Sequence, residues 1–142
     1  MLNKHSVFVL VLTFVAWGSI SVARAEVAII VNSANASSIS DSDLSRLFLG
    51  KLKAYSGGDK AEPINQKFGT KVRNEFEQKV LKKSASQVKA YWSKRVFSGK
   101  GKPPQELPSD KDILTQVAAN KNAIGYIDAA NVDSSVKVVK TF

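Results

Sequence analysis

A cationic helix start is the feature of this sequence with the most chemical content. Thr70 stands where a helix N-cap is expected, and Lys71 and Arg73 follow it in the predicted first turn. Helix N-termini carry partial positive charge, so a cation placed there costs about 0.3–1 kcal/mol unless an anion lies nearby. Backbone amides, a hydroxyl and a guanidinium together form a known kind of oxyanion site. The pattern therefore predicts that Thr70, Lys71 and Arg73 bind phosphate or a similar oxyanion.

Three other predicted helix starts have the usual capping pattern instead. Each has a serine at the N-cap and an acid or amide three residues later, which is the capping-box pattern. The pairs are Ser40 with Asp43, Ser84 with Gln87, and Ser109 with Asp112. The contrast favours an anion at Thr70. The alternative is that Thr70 is an ordinary cap and that Glu75 and Glu77 neutralise the cations locally.

The residue types that most hydrolytic mechanisms need are missing. The sequence has no cysteine, and its one histidine, His5, lies in an amino-terminal segment that we expect to be removed. Without these residues the mature chain cannot build a Ser-His-Asp triad, a Cys-His pair or a histidine metal site. Glu75 and Glu77 are two residues apart and do not share a helix face. We therefore expect no enzyme activity, no catalytic residue, no metal and no cofactor.

The amino terminus has the three parts of a secretory signal peptide. Lys4 and His5 form a polar start, residues 7–17 are apolar, and Ala23 and Ala25 are the small residues that precede a cleavage site. This pattern predicts a signal peptide over residues 1–25, a mature domain over residues 26–142, and a periplasmic location without stable membrane insertion. The alternative is an uncleaved anchor. However, a spanning helix needs roughly 20 apolar residues, and Ser19 and Ser21 interrupt this stretch.

Positive charge is concentrated in the middle of the chain. The sequence has 21 Lys and Arg against 12 Asp and Glu, and residues 67–102 contain Glu75 and Glu77 as their acids. Such a surface favours anionic partners, and the alternative is a solvated helix surface in a basic protein. Nucleic acid is not expected, because aromatic residues do not alternate with the cations. The basic residues are Lys67, Lys71, Arg73, Lys79, Lys82, Lys83, Lys89, Lys94, Arg95, Lys100 and Lys102.

Apolar periodicity predicts alternating strands and helices. Continuous apolar runs at 27–31 and 123–127 are typical of strands buried on both faces, and shorter strands are predicted at 63–65 and 136–139. Residues 98–108, with their glycines and prolines, are predicted to be a loop. This order indicates one α/β domain, a small and mostly parallel sheet flanked by helices. Apolar positions at helical spacing are Leu44, Leu47 and Phe48; Val72, Phe76 and Val80; Val88, Trp92 and Val96; and Ile113, Leu114, Val117 and Ala118.

Short motifs along the mature chain resemble the second lobe of the phosphate ABC transporter substrate-binding proteins, a periplasmic-binding-protein family. The resemblance covers nearly all of residues 26–142 and implies a single lobe of that fold. The matching residues are Phe48-Leu49-Gly50-Lys51, Arg73 with Phe76, Trp92, the glycines and prolines of 99–104, Ser109-Asp110, and Ile124-Gly125-Tyr126.

The resemblance also implies a function. It implies phosphate as the ligand of Thr70, Lys71 and Arg73, and either an ABC transporter permease or a second chain that completes the cleft as the partner. A single lobe forms half of such a cleft, so its anion remains open to water, which weakens charged hydrogen bonds. The alternative from another class is an envelope interaction module whose basic surface binds a partner protein or an anionic polymer.

Overall fold

The computed structural model describes Gly18 and residues 26–142. Apart from Gly18, the predicted signal peptide lies outside the described residues, so its cleavage remains a prediction. Within the described part of the chain, no helix has the length and apolar character needed to cross a bilayer.

A five-stranded sheet forms the middle layer of the described residues. Its strands are β1 (Val27–Asn32), β2 (Glu62–Gln66), β3 (Gln105–Leu107), β4 (Ala123–Asp128) and β5 (Val136–Thr141). They are ordered β3–β2–β4–β1–β5. β2 is parallel to β3 and β4, whereas β1 is antiparallel to β4 and β5. Hence four strands of this sheet point the same way and β1 opposes them, which confirms the predicted mostly parallel α/β class.

Helices cover both faces of the sheet. They are α1 (Asp41–Phe48), α2 (Lys71–Phe76), α3 (Ala85–Phe97) and α4 (Asp110–Ala119), with a π-helical turn over Glu77–Leu81 and a 3-10 turn over Ala129–Asn131. Side chains of β1 alternate between two hydrophobic clusters. Val27, Ile29 and Val31 face α1, α2 and α3, whereas Ala28 and Ile30 face α4. Because β1 is buried on both faces, its sequence is continuously apolar, as predicted.

An aromatic cluster joins the two sequence motifs that lie furthest apart. The Phe76 and Tyr126 rings stack with their centroids 3.8 Å apart, and the Phe48 ring packs edge-on against both. Phe48 ends α1, Phe76 ends α2, and Tyr126 lies in β4. The cluster therefore fixes α2, the helix that carries the predicted site, against the sheet.

The glycine of each motif has a steric reason. Gly50 follows α1 with a φ of +69°, the left-handed conformation predicted for a glycine that ends a helix. Gly125 lies under α4, where an added Cβ would stand 2.8 Å from Ile113 Cγ2. The strand glycine therefore allows close approach of a helix.

The structure differs from the prediction at two places that matter for the site. The predicted loop 98–108 contains β3, because Gln105–Leu107 pairs in parallel with β2. The apolar face predicted for α3 continues beyond the core, so that Val88 and Trp92 are buried while Val96 is 53% exposed. Pairing with the distant β2 makes the first segment a strand, whereas more than half of Val96 is left uncovered by the described residues.

Candidate functional site

The predicted oxyanion residues lie at the edge of the sheet where parallel strands end. β2 ends at Gln66 and leads to α2, and β3 ends at Leu107 and leads to α4. The starts of both helices therefore lie at the carboxyl edge of β2 and β3, where open α/β sheets commonly bind ligands. The Gln66 side-chain amide donates a hydrogen bond to the Asp110 carboxylate, which connects the two helix starts.

Thr70 is the N-cap of α2. Its hydroxyl oxygen accepts a hydrogen bond from the backbone N–H of Arg73 over 3.3 Å. Thr70 is therefore a helix cap, as the alternative interpretation of the sequence predicted. The hydroxyl hydrogen can still donate to an anion, because a threonine hydroxyl is both donor and acceptor. Lys71 is exposed at the first helical position. The Thr70 hydroxyl thus contacts the backbone of Arg73 rather than its guanidinium, and Lys71 lies between the two residues in the chain, on the surface.

The Arg73 side chain is buried and bonded to carboxylates of the chain itself. Its Nε donates to Glu77 Oε1 over 2.7 Å, and its Nη1 donates to the backbone carbonyl of Gln66 and to the Glu106 carboxylate. Burial acts to lower the pKa of Arg73, but the hydrogen bonds to Glu77 and Glu106 outweigh burial and raise that pKa. An external anion therefore has to compete with a carboxylate for this guanidinium.

The two carboxylates on Arg73 differ in their freedom to move. The Glu77 side chain is 2% exposed, and its Oε2 atom has no hydrogen-bond partner within the described residues. The Glu106 side chain lies on β3 and is 45% exposed. Glu77 is therefore a fixed structural partner, whereas Glu106 can rotate into water. Sequence reasoning missed Glu106 because it lies in the predicted loop and its spacing gives no signal.

A second carboxylate of the chain occupies the start of α4. Asp110 accepts hydrogen bonds from the Gln66 side chain, from the backbone N–H of Asp128 over 3.2 Å, and from the Asn131 side chain over 2.8 Å. The capping role that the sequence indicated for the serine is confirmed, since the Ser109 hydroxyl accepts from the Asp112 N–H. Carboxylates of the chain thus bond the Arg73 side chain of α2 and lie in the first turn of α4.

The Tyr126 hydroxyl is bonded to two residues at the end of β2, next to the predicted site. It donates to Asn65 Oδ1 over 3.0 Å and accepts from the Gln66 backbone N–H over 3.2 Å. Burial raises the pKa of Tyr126, which keeps the phenol neutral. Because Gln66 contacts both Arg73 and Asp110, this neutral phenol holds the strand end that positions the two charged groups.

An open groove of about 540 Å³ adjoins Arg73. We call it the Phe97 groove. The Phe68 ring on its rim lies 5.3 Å from Arg73 Cζ and 5.8 Å from Lys89 Nζ, measured to the ring centroid. No cluster of potential metal ligands was found among the residues that the structure describes. The residues lining the groove are Phe68, Arg73, Val88, Lys89, Trp92, Ser93, Val96, Phe97, Pro103 and Glu106.

Solved structures of binding proteins share this fold. The chain is similar to an ABC-type phosphate transport receptor from Vibrio cholerae, with a TM-score of 0.63 and 21% identity over 82% of this chain. It is similar to a putative phosphate ABC transporter substrate-binding protein from Clostridium perfringens, crystallised with bound phosphate, with a TM-score of 0.62 and 22% identity over 82% of this chain. A third match is PstS from Borrelia burgdorferi, with a TM-score of 0.61 and 11% identity over 82% of this chain. The chain has the fold of one substrate-binding-protein lobe.

The lobe spans less than half of each of these three solved chains. It covers 46% of the V. cholerae chain, 45% of the C. perfringens chain and 47% of the B. burgdorferi chain. No family model matches the sequence, and no curated protein matches it at a significant level. At these identities the likeness establishes the fold, which confirms the resemblance predicted from the motifs.

Proposed function

We propose that this lobe is exported to the periplasm and binds phosphate or a similar oxyanion through Thr70, Lys71 and Arg73. One observation carries the proposal: the exposed Glu106 carboxylate already occupies an oxyanion position on the buried Arg73 guanidinium. A guanidinium binds carboxylate and phosphate with the same donor geometry. An external oxyanion that displaces Glu106 would take over its bond to the Arg73 guanidinium, and we propose that the Thr70 hydroxyl and the Lys71 ammonium contribute further contacts.

Competition with Glu106 sets the expected strength of binding. A hydrogen bond to a charged group contributes about 1.5–3 kcal/mol, so displacing this carboxylate weakens anion affinity roughly ten- to hundredfold. The half-cleft is also open to water, which screens the remaining charges. We therefore expect weak binding by the lobe alone. A second chain that covers the edge, or an ABC transporter permease that receives the anion, is the partner that this proposal implies.

Titration calorimetry of residues 26–142 with phosphate and with sulfate tests the proposal. We expect a saturable heat and a rise in melting temperature at millimolar ligand, because a ligand that binds the folded state alone stabilises it. Chloride at matched ionic strength is the control for screening. The absence of both heat and thermal shift, in the native lobe and in Glu106→Gln, would refute the proposal.

A second candidate is an envelope interaction module. The observation that favours it is the surface of α3 and of the turn before it, where Lys82 and Lys89 are exposed and Lys79 and Lys83 are half-buried. A positive surface of this kind attracts anionic polymers and acidic proteins without any pocket for a small anion. The two candidates use different residues, so substitutions can separate them.

A further inference from the structure

We propose that the Phe97 groove binds a small amphipathic carboxylate, a single negative charge on an apolar body, beside the oxyanion edge, with which it shares Arg73 and Glu106. Exposed apolar surface is concentrated at this groove. The described residues contain four exposed large hydrophobic side chains, and Phe68, Val96 and Phe97 among them line this groove, with 44%, 53% and 95% exposure. The fourth, Val138, lies on β5 at the opposite edge of the sheet from β3. Contiguous exposed apolar surface of this kind marks binding sites.

The groove is preformed. Trp92 forms its floor at 6% exposure, and it packs so closely on Gly50 that an added Cβ there would stand 2.9 Å from the indole. The Tyr91 hydroxyl donates to the Leu49 carbonyl over 2.6 Å, which ties α3 to the end of α1. The volume of about 540 Å³ falls in the range of small-molecule sites, which are mostly apolar with a few polar groups. A ligand would therefore find this surface already shaped.

One stripe of α3 gives the groove its polarity. Lys89, Ser93, Val96 and Phe97 all line it, and their spacing of four, seven and eight residues places them on one helix face. The amino-terminal half of the stripe is cationic and hydroxylated, and the carboxyl-terminal half is apolar. At 1.5 Å per residue, Lys89 and Phe97 are separated by about 12 Å along the helix. An occupant of matching polarity has a charged head and an apolar body of medium length.

The charges of the lining select an anion. Arg73 and Glu106 are bonded to each other, so they largely cancel. Within the described residues no carboxylate forms a salt bridge with Lys89, whose ammonium lies over the Phe68 ring. A ligand carboxylate can therefore pair with Lys89 and accept a hydrogen bond from the Ser93 hydroxyl, while its apolar body covers Trp92, Val96 and Phe97. A cationic ligand of the same length would meet the like charge of Lys89.

Fluorescence of residues 26–142 tests the proposal directly. Trp17 and Trp92 are the two tryptophans of the sequence, so after removal of residues 1–25 the emission comes from Trp92 in the groove floor. Octanoate, octanol and octyltrimethylammonium, all titrated below their aggregation concentrations, are the probes. We expect a saturable change with octanoate, with affinity roughly tenfold higher than for the cationic probe.

Matched variants locate the binding. Phe97→Ser and Lys89→Ala should each weaken octanoate binding roughly tenfold, and Lys89→Ala should also remove the preference for octanoate over octanol. The controls are Val138→Ser, an exposed apolar residue on β5, and Lys94→Ala, an exposed lysine of α3 outside the groove. Both controls should bind octanoate like the native lobe. Because Lys89, Phe97 and the control residues are all exposed, unchanged melting temperatures verify folding.

Four results would overturn the proposal. These are the absence of a saturable change with octanoate, equal affinity for all three probes, a Trp92 response to anionic lipid vesicles alone, and a dimer in sedimentation that Phe97→Ser converts to a monomer. The last would place a second copy of the chain in the groove. Arg73 lines the groove as well, but the variants that test it change Lys89 and Phe97, which are not among the proposed oxyanion ligands. Failure of this proposal and failure of phosphate binding are therefore distinguishable.

Discussion

At the scale of single residues, the helix start at Thr70 combines both sequence hypotheses. Thr70 is a cap, as the alternative held, and Glu77 neutralises Arg73 locally. Glu75, the other acid considered, pairs with Lys79 at 3.4 Å. Arg73 is nevertheless bonded to an exposed carboxylate, which is the type of group that the oxyanion hypothesis places there. Glu106 therefore decides how much of the guanidinium is available to a ligand.

Glu106→Gln should strengthen phosphate binding. The substitution keeps the length of the side chain but removes the charge that competes with phosphate for Arg73, so affinity should rise roughly tenfold or more. Calorimetric titration of the variant beside the native lobe measures the ratio. Asp133→Asn is the matched control, because it removes a negative charge from an exposed loop where Asp133 is bonded to Ser135. Equal phosphate affinity in native lobe and Glu106→Gln would show that the carboxylate does not compete.

At the scale of elements, α4 packs closely on β4, on the face of the sheet opposite α1, α2 and α3. Gly125 allows this approach, since the Ile113 and Val117 side chains occupy the space that a Cβ would need. On the other face the stacked rings of Phe76 and Tyr126 join α2 to the same strand. β4 is therefore the element that connects the site to both layers of helices.

Gly125→Ala should destabilise the lobe. The new methyl group would meet Ile113 Cγ2 at 2.8 Å, and overpacking of a filled core costs about 1–3 kcal/mol. Urea unfolding followed by circular dichroism measures the loss. Gly57→Ala is the control, because no heavy atom lies within 4 Å of the position of its added Cβ. The explanation by close packing would fail if both alanine variants had the stability of the native lobe.

At the scale of the whole molecule, the two proposed functions use different parts of the same lobe. The sequence carries a formal net charge of +9, and salt screens such a surface more strongly than it screens a buried guanidinium. The proposed oxyanion site consists of a few residues at one edge of the sheet. The proposed interaction module instead relies on the summed charge of many lysines.

Reversal of four lysines separates these two functions. Changing Lys79, Lys82, Lys83 and Lys89 to Glu should abolish binding to an anionic polymer such as heparin, while phosphate heats stay close to those of the native lobe. Reversal of four exposed lysines outside this surface makes the same change in net charge and is the control; these are Lys53, Lys111, Lys121 and Lys137. Heparin affinity chromatography and calorimetry provide the two readouts. A variant that keeps heparin binding would exclude this surface as the polymer site.

Most of the fold could be predicted because its signals are local. The serine caps at positions 40, 84 and 109 and the left-handed Gly50 each depend on a few neighbouring residues. The buried strand β1 is likewise recognisable from its continuous apolar run. β3 was missed because Gln105–Leu107 is short, carries no apolar alternation and becomes a strand by pairing with β2. The exposure of Val96 was missed because periodicity places a residue on a helix face without showing what covers that face.

The sequence by itself determined the α/β class and the helix start at Thr70, since capping, helix termination and apolar periodicity are encoded within a few positions, and its short motifs carried the resemblance to a substrate-binding-protein lobe. Tertiary structure alone decided what the residues of that helix start contact. The pairing of Asn65 with Glu106 in the β2–β3 ladder brings a carboxylate from 33 residues away onto Arg73. The same strand pairing places Glu106 beside the exposed end of α3 in the Phe97 groove. These contacts are set by the register of distant strands, and no local pattern in the chain specifies that register.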